Sequence, residues 1–387
     1  MKVYGFGLPL VLAISFTVPA LSSGGLAHAQ AVPREWALGA APSLAIGGGG
    51  RAETEFFRVN GVWRLSDGRI VVVNGSSKEI RVFDARGAWL HSFGREGEGP
   101  GEFRALGWTT NAGDTAFVYD GDLRRITTIH LGGTPSLLDV RPITVKEERS
   151  FDVVGRVADG RWLVHSLSPP NVSAPGVQRV PGFAGLIDGT ATGTVGWLAE
   201  QPDLSLFIYN PAGSRRMVSV VVAAFPSSFA MAASGRVVWF GDDGAALLVK
   251  VDAATGTRTT IRLPDSPAPL TKALVDAARK DEIEATRDQA SRDAVLVKYS
   301  ARYLPKRLPA FEALVPGPGG ELWVRRFTPG RGAPGKYVVL SPDGRVLGRV
   351  TVPSGFRVND AGPDYVLGVY RDEEGVETVR AYTLTRR

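Results

Sequence analysis

Seven polar residues recur at matching places in a repeat and could act together. Phenylalanines at Phe57, Phe103, Phe151, Phe311 and Phe356 each precede a turn and a strand-like run, with a poorer copy at Phe229. The residue after each is, in chain order, Arg58, Arg104, Asp152, Ala230, Glu312 and Arg357. Two residues further stand Asn60, Leu106, Val154, Ala232, Leu314 and Asn359. In a strand, residues two apart share a face, so the two sets should point the same way. Three arginines with two asparagines below them suit bidentate capture of a carboxylate, phosphate or sulfate. Asp152 and Glu312 sit across from them. The alternative is that arginines and acids neutralise each other through water.

The elements that must position these residues are strands. Runs rich in Val, Ile, Trp, Tyr and Phe alternate with Gly, Asp, Pro and Ser. Ser66-Asp67-Gly68-Arg69 precedes Ile70-Val71-Val72-Val73, Ala158-Asp159-Gly160-Arg161 precedes Trp162-Leu163-Val164, and Ala233-Ser234-Gly235-Arg236 precedes Val237-Val238-Trp239-Phe240. Third strands end in tight turns of their own, such as Val338-Val339-Leu340-Ser341-Pro342-Asp343-Gly344. Four antiparallel strands per repeat, six times over, predict an all-β six-bladed β-propeller. The last repeat has three strands. Residues 36–46 are expected to supply its outer strand and close the ring, removing an open edge. Two intervals carry insertions: one after Leu167 and between Asp203 and Phe225, the other at 264–308, before blade five. The second reads as mostly helical, capped by Thr271, with a stripe of Ile283, Ala290, Ala294, Val297 and Ala301.

The tight Asp-Gly turns fall on one face of such a fold and every long segment on the other: 96–102, 168–176, 203–225, 264–308 and 327–335. First strands start on that loop-rich face and line the channel, so binding is expected at its mouth. The helical insertion enters there and could act as a lid.

Gly97-Glu98-Gly99-Pro100-Gly101-Glu102-Phe103 is similar to the inter-blade segment of NHL-repeat propellers, and Glu79-Ile80-Arg81-Val82-Phe83-Asp84-Ala85-Arg86-Gly87 to their third strand and turn. The chain resembles the exported bacterial six-bladed propellers related to NHL repeats. That resemblance implies a scaffold on which binding proteins, lyases and lactonases all occur. Zinc-lyase chemistry needs a histidine cluster. His91, His130 and His165 fall on a fourth, a third and a second strand, at different distances from the axis. A calcium-dependent, lactonase-like site would draw on Glu312, Asp152, Asn60 and Asn359, opposed by the three arginines nearby. Gly94-x-x-Gly97-x-Gly99 opens no helix and is not a phosphate loop. Asp120-Gly121-Asp122-Leu123-Arg124-Arg125 reads as a structural Asp–Arg network.

Composition sets the address. Residues 1–29 have the build of a secretory signal: Lys2, an apolar segment from Leu8 to Val18, and Ala27-His28-Ala29 for cleavage after Ala29. The apolar segment is too short to span a bilayer. The chain of 387 residues has no cysteine, which excludes disulfides, thiol catalysis and a lipid-anchored precursor. The net charge of +6 is diffuse, whereas nucleic-acid binding needs a clustered basic face. Residues 30–387 are expected to form an exported monomer, periplasmic or extracellular. Its expected role is that of a non-catalytic ligand-binding or interaction protein, with a small anion or an exported protein as partner. The expectation includes no nucleic acid, no membrane span, no resident metal and no cofactor. The alternative is a metal-assisted hydrolase or lyase working in the channel.

Overall fold

The computed structural model describes residues 27–28, 34–145, 151–167, 170, 176–188, 192–193, 195–209, 219–226, 229–330 and 332–386. Of the expected leader, only Ala27–His28 falls within these, its backbone running parallel to Ile261–Arg262. Most of the 168–176 segment lies outside the described residues.

The chain folds mostly into curled antiparallel sheets. Val59–Arg64, Ile70–Asn74, Glu79–Phe83 and Trp89–Phe93 form a first sheet, paired in chain order. Leu106–Ala112 to Ser136–Pro142 form a second. The third starts at Asp152–Arg156 and has five strands, ending at Ser219–Val222. The fourth runs from Phe229–Ser234 to Arg258–Arg262. Thr144–Val145 and Thr192–Gly193 pair as a small parallel sheet of their own, and the other strands join one nine-stranded sheet, with Phe311–Pro316 at one end of its path and Phe356–Ala361 at the other.

Glu35–Leu38 joins the halves of that large sheet. Its Trp36 pairs parallel with Val350, and its Leu38 antiparallel with Leu384. Leu44–Ile46 then pairs antiparallel with Val379–Ala381. The N-terminal segment thus fills the outer place beside Glu377–Thr385, where the sequence lacks a fourth strand.

Turn chemistry repeats because one local solution recurs. In Ser66-Asp67-Gly68-Arg69, Gly68 takes φ +93°, a conformation glycine reaches without steric cost. The Asp67 carboxylate accepts from the Arg69 backbone N–H and pairs with its guanidinium at 2.7 Å. Asp159 and Arg161 do the same around Gly160, and Asp343 pairs with Arg345 around Gly344.

The core is a series of patches between consecutive sheets rather than one centre. Phe103, fully buried, packs with Val71, Val73, Val82 and Val118 between the first and second sheets. Trp162 and Tyr119 fill the next patch, and Trp239, Phe311 and Leu340 one further on. Leu367, Val369 and Val379 from the end of the chain pack against Val59, Val62 and Val72 from its start. Strands covered on both faces read as unbroken apolar runs, which is why Ile70-Val71-Val72-Val73 shows no alternation.

The glycine-rich segment before Phe103 is built as scaffold. Glu102 receives the Gly99 N–H at 2.8 Å and pairs with Arg95 at 2.6 Å. Arg125 donates to the carbonyls of Glu98, Gly99 and Glu102. The first repeat departs from the expected register. Phe56 is the buried member at 6% exposure, while Phe57 is 48% exposed. Arg58 takes a left-handed φ of +58° and absorbs the shift by one residue.

The second insertion is helical, as expected. Thr271 caps α1 (Lys272–Ala285) by accepting from the Leu274 N–H, and Asp288 caps α2 (Gln289–Lys298) through the Ser291 N–H. The buried stripe of α2 runs through Ala294, Val295 and Lys298 rather than Val297. The interruption at 286–288 resets the helical phase between the two helices. Both dock on Ala224, Phe225 and Phe327. Of the 203–225 segment, residues 210–218 lie outside the described residues; its start belongs to Gly196–Tyr209, a long strand paired with Gly176–Ile187, and Ser219–Val222 pairs back onto that strand.

Candidate functional site

Six strands, Val59–Arg64, Leu106–Ala112, Asp152–Arg156, Phe229–Ser234, Phe311–Pro316 and Phe356–Ala361, converge on one cavity of about 360 Å³. Each strand in this circuit touches the next. The cavity wall is largely neutral and polar: Asn60, Thr109, Thr110, Asn111 and Asn359 line it with Trp63, Trp108 and Met231. Asp360 is its one acidic member.

Several of these strands slip register at the same place. The ladder skips between Val59 and Gly61, Val153 and Gly155, and Val358 and Asp360. An extra residue of this kind leaves the ladder and re-aims its side chain. The residues so released are Asn60, Val154 and Asn359, all lining the cavity. Glu312 is released in the same way between Phe311 and Ala313.

Of the seven expected site residues, Asn60 and Asn359 therefore line the cavity. Arg58, Arg104, Arg357, Asp152 and Glu312 are not part of its lining. They sit at the phenylalanine-proximal ends of the same strands, with separate partners. Arg357 donates to the Val59 carbonyl at 2.9 Å, next to Arg58 and Asn60. Asn60 in turn donates to the Leu106 carbonyl, two residues past Arg104. Side chains thus link three adjacent strands. Arg104 pairs with Glu98 of the glycine-rich segment. Arg58 is exposed, lies 5.6 Å from the Phe57 ring centroid, and makes no ion pair among the described residues.

The two acids do not neutralise these arginines by direct pairing. Glu312 pairs with Arg325 of the neighbouring strand at 2.7 Å. Burial pushes its carboxyl pKa up, and Arg325 pulls it back. Asp152 is exposed and lies near Tyr119. Burial first, and the Asp152 charge second, push the Tyr119 hydroxyl to about 12. Arg325, Glu312 and Arg357 all act on the buried Tyr337, whose hydroxyl accepts from the Val358 N–H.

Three groups here escape sequence reasoning. Glu98 and Arg325 carry no signal as partners, since their pairing depends on which strands lie side by side. Asp360 reads as part of an Asp-Ala-Gly turn, yet the structure places it in the cavity wall. Its carboxylate accepts from the Arg64 N–H at 2.9 Å and the Tyr365 hydroxyl at 3.1 Å. Burial pushes its pKa up despite those bonds.

Among the described residues, three buried polar atoms of the lining have no hydrogen-bond partner: Trp63 Nε1, Thr109 Oγ1 and Asn359 Oδ1. The first donates, the third accepts and the Thr109 hydroxyl can do either, and such atoms are costly unless something completes them. Among the described residues, no three His, Cys, Asp or Glu side chains gather as a metal-binding set. No helix of these residues is long and apolar enough to cross a membrane.

No protein-family model matches the chain, and no curated protein matches it. Solved structures do. A member of the DUF4221 family from Bacteroides vulgatus is 10% identical, with TM-score 0.52 over 92% of this chain and 100% of that one. Virginiamycin B lyase from Staphylococcus aureus is 11% identical, with TM-score 0.40 over 91% and 99%. Regucalcin, a calcium-binding protein from Agrobacterium tumefaciens, is 13% identical, with TM-score 0.39 over 87% and 93%. The chain has a β-propeller-like fold, mostly β, with a helical insertion.

Proposed function

We propose that this chain is an exported six-bladed propeller, related to NHL repeats, that binds a small anionic ligand at the mouth of its central cavity. In this reading it performs no chemical step. The blade count is supported by six strands meeting at one cavity and by core patches between consecutive sheets, with the chain's end packed on its start. Closure by the N-terminal strand is supported by the pairing of 37–38 and 44–46 with the last strand. Export, to the periplasm or beyond, rests on the leader-like sequence of residues 1–29.

The observation that carries the ligand reading is the set of partnerless polar atoms, Trp63 Nε1, Thr109 Oγ1 and Asn359 Oδ1, beneath arginines that the two acids leave unpaired. One donor, one acceptor and one hydroxyl that can do either fit an anion that also carries a hydroxyl, such as a hydroxy acid or sugar acid. Arg58 and Arg357 would receive the charge, Arg104 exchanging Glu98 for the ligand. Asp152 and Glu312 would mark the opposite rim, with Asn60 and Asn359 deeper.

The test is calorimetric titration of small carboxylates, phosphates and sulfated sugars into the wild type and Arg58→Ala/Arg357→Ala. A charge-assisted bond contributes about 1.5–3 kcal/mol, so losing one lowers affinity about tenfold or more. No binding by the wild type, or unchanged affinity in the double variant, leaves the charges as structure alone. Stoichiometric calcium on protein purified without chelator would replace this reading with metal-assisted chemistry.

A further inference from the structure

A second cavity, of about 460 Å³, opens between the second and third sheets and shares no lining residue with the central one. One wall is apolar. Phe117, Ile126, Ile143 and Trp162 line it, with Ile126, Ile143 and Trp162 buried. The Trp162 ring meets Phe117 edge-on at 5.6 Å and Trp108 at 6.1 Å.

Into this wall is set Arg156. Its guanidinium carbon lies 4.3 Å from the Phe117 centroid and 5.4 Å from that of Trp162. Its Nε is buried and has no hydrogen-bond partner among the described residues. A guanidinium over aromatic faces is attracted by the ring quadrupole, but that contact leaves its Nε–H without an acceptor. Desolvation here disfavours its charged form, and Asp159 only partly offsets this.

The acids around the cavity are engaged elsewhere. Asp159 pairs with Arg161 at 2.6 Å. Asp139 pairs with Arg141, both on the outer strand of the second sheet. The charge of Asp188 acts on Arg161. Arg156 is left as a half-buried cation with no ion pair among the described residues. Arg141 stands at the same cavity as a second, exposed cation.

We propose that this cavity is a binding site for a small monocarboxylate with an aromatic or aliphatic body. The carboxylate would take the Nε–H and one Nη–H of Arg156 in a fork geometry, and the body would lie on Phe117, Ile126, Ile143 and Trp162. Asp139, Asp159 and Asp188 at the rim disfavour a second negative charge, which selects a monoanion over phosphate. The site shares no lining residue with the central cavity, and its failure leaves that reading untouched.

The experiment titrates indole-3-acetate, phenylacetate and hexanoate into the full exported chain, by calorimetry and by the change in tryptophan fluorescence. Tryptamine carries the same ring with the opposite charge, and inorganic phosphate carries the charge without a body. At least one of the three carboxylates should bind at a single site, with tryptamine and phosphate about tenfold weaker or worse. Arg156→Met should weaken binding about tenfold or more, Arg156→Lys less, and Arg58→Ala/Arg357→Ala not at all. Thr128→Trp, which fills the cavity from its wall without touching Arg156's charge, should abolish binding even if Arg156→Met does not fold. The proposal falls if none of the carboxylates binds, if tryptamine or phosphate binds equally well, or if folded Arg156→Met or Thr128→Trp binds like wild type.

Discussion

Replacing Trp36 by alanine tests whether the N-terminal segment holds the two halves of the large sheet together. Trp36 is 7% exposed and lies between the two halves of the large sheet. Its indole meets Trp323 edge-on at 6.1 Å, and the Arg386 guanidinium lies 4.5 Å above it. A Cβ added at Gly348 would come within 2.4 Å of the ring, so the indole lies directly on that glycine's backbone. Truncating a buried Trp to Ala costs about 3–5 kcal/mol, the upper end where the cavity cannot collapse. Sheets on both sides resist collapse here. Unfolding entropy of about 2.1 cal/mol/K per residue amounts to about 0.8 kcal/mol/K for a chain this long, so Tm should fall by about 4–6 °C. Calorimetry on wild type, Trp36→Ala and Trp89→Ala checks this, Trp89 being 45% exposed on an outer strand. The reasoning is refuted if Trp36→Ala melts within a degree of wild type, or no lower than Trp89→Ala.

Other consequences follow from single contacts. Arg81 is buried and its Nη1 donates to the carbonyls of Ala52, Glu53 and Glu55, so Arg81→Met should cost about 3 kcal/mol and open residues 47–56 to proteolysis. Unchanged cleavage there would show that the segment is held by other means. Gly94 has φ +93°, and a Cβ there would lie 2.6 Å from the Phe103 ring. Gly94→Ala should lower stability by about 2–4 kcal/mol, while Gly133→Ala, with open space around it, should not. Burial raises the pKa of Asp360 in the folded state above its unfolded value. Between those two values the folded chain holds a proton that the unfolded chain has lost, so stability falls as pH rises through the folded pKa. Asp360→Asn removes this loss, and its urea midpoint should decline less from acid to neutral pH than that of wild type. Parallel profiles would show that Asp360 ionises in the folded protein as it does unfolded.

The sequence by itself determined the parts governed by local chemistry. Asp-Gly-Arg turns, apolar runs and the Thr271 cap are visible because each depends on residues within a few positions of one another. The need for an added strand beside the last repeat was also legible, since an open edge of three strands leaves backbone groups unpaired. Only the tertiary structure decided the site. Strict alternation places Arg58 and Asn60 on one face, but register slips at Asn60, Val154 and Asn359 send those side chains to the cavity while Arg58 stays outside its lining. A slip of this kind depends on the neighbouring strand, which the sequence does not show. Equally, Glu312 meets Arg325 and Arg104 meets Glu98. Arg156 rests on Phe117 of the preceding sheet. Such partners are chosen by which strands lie side by side, because electrostatic and ring contacts act over a few ångströms in space whatever the distance along the chain.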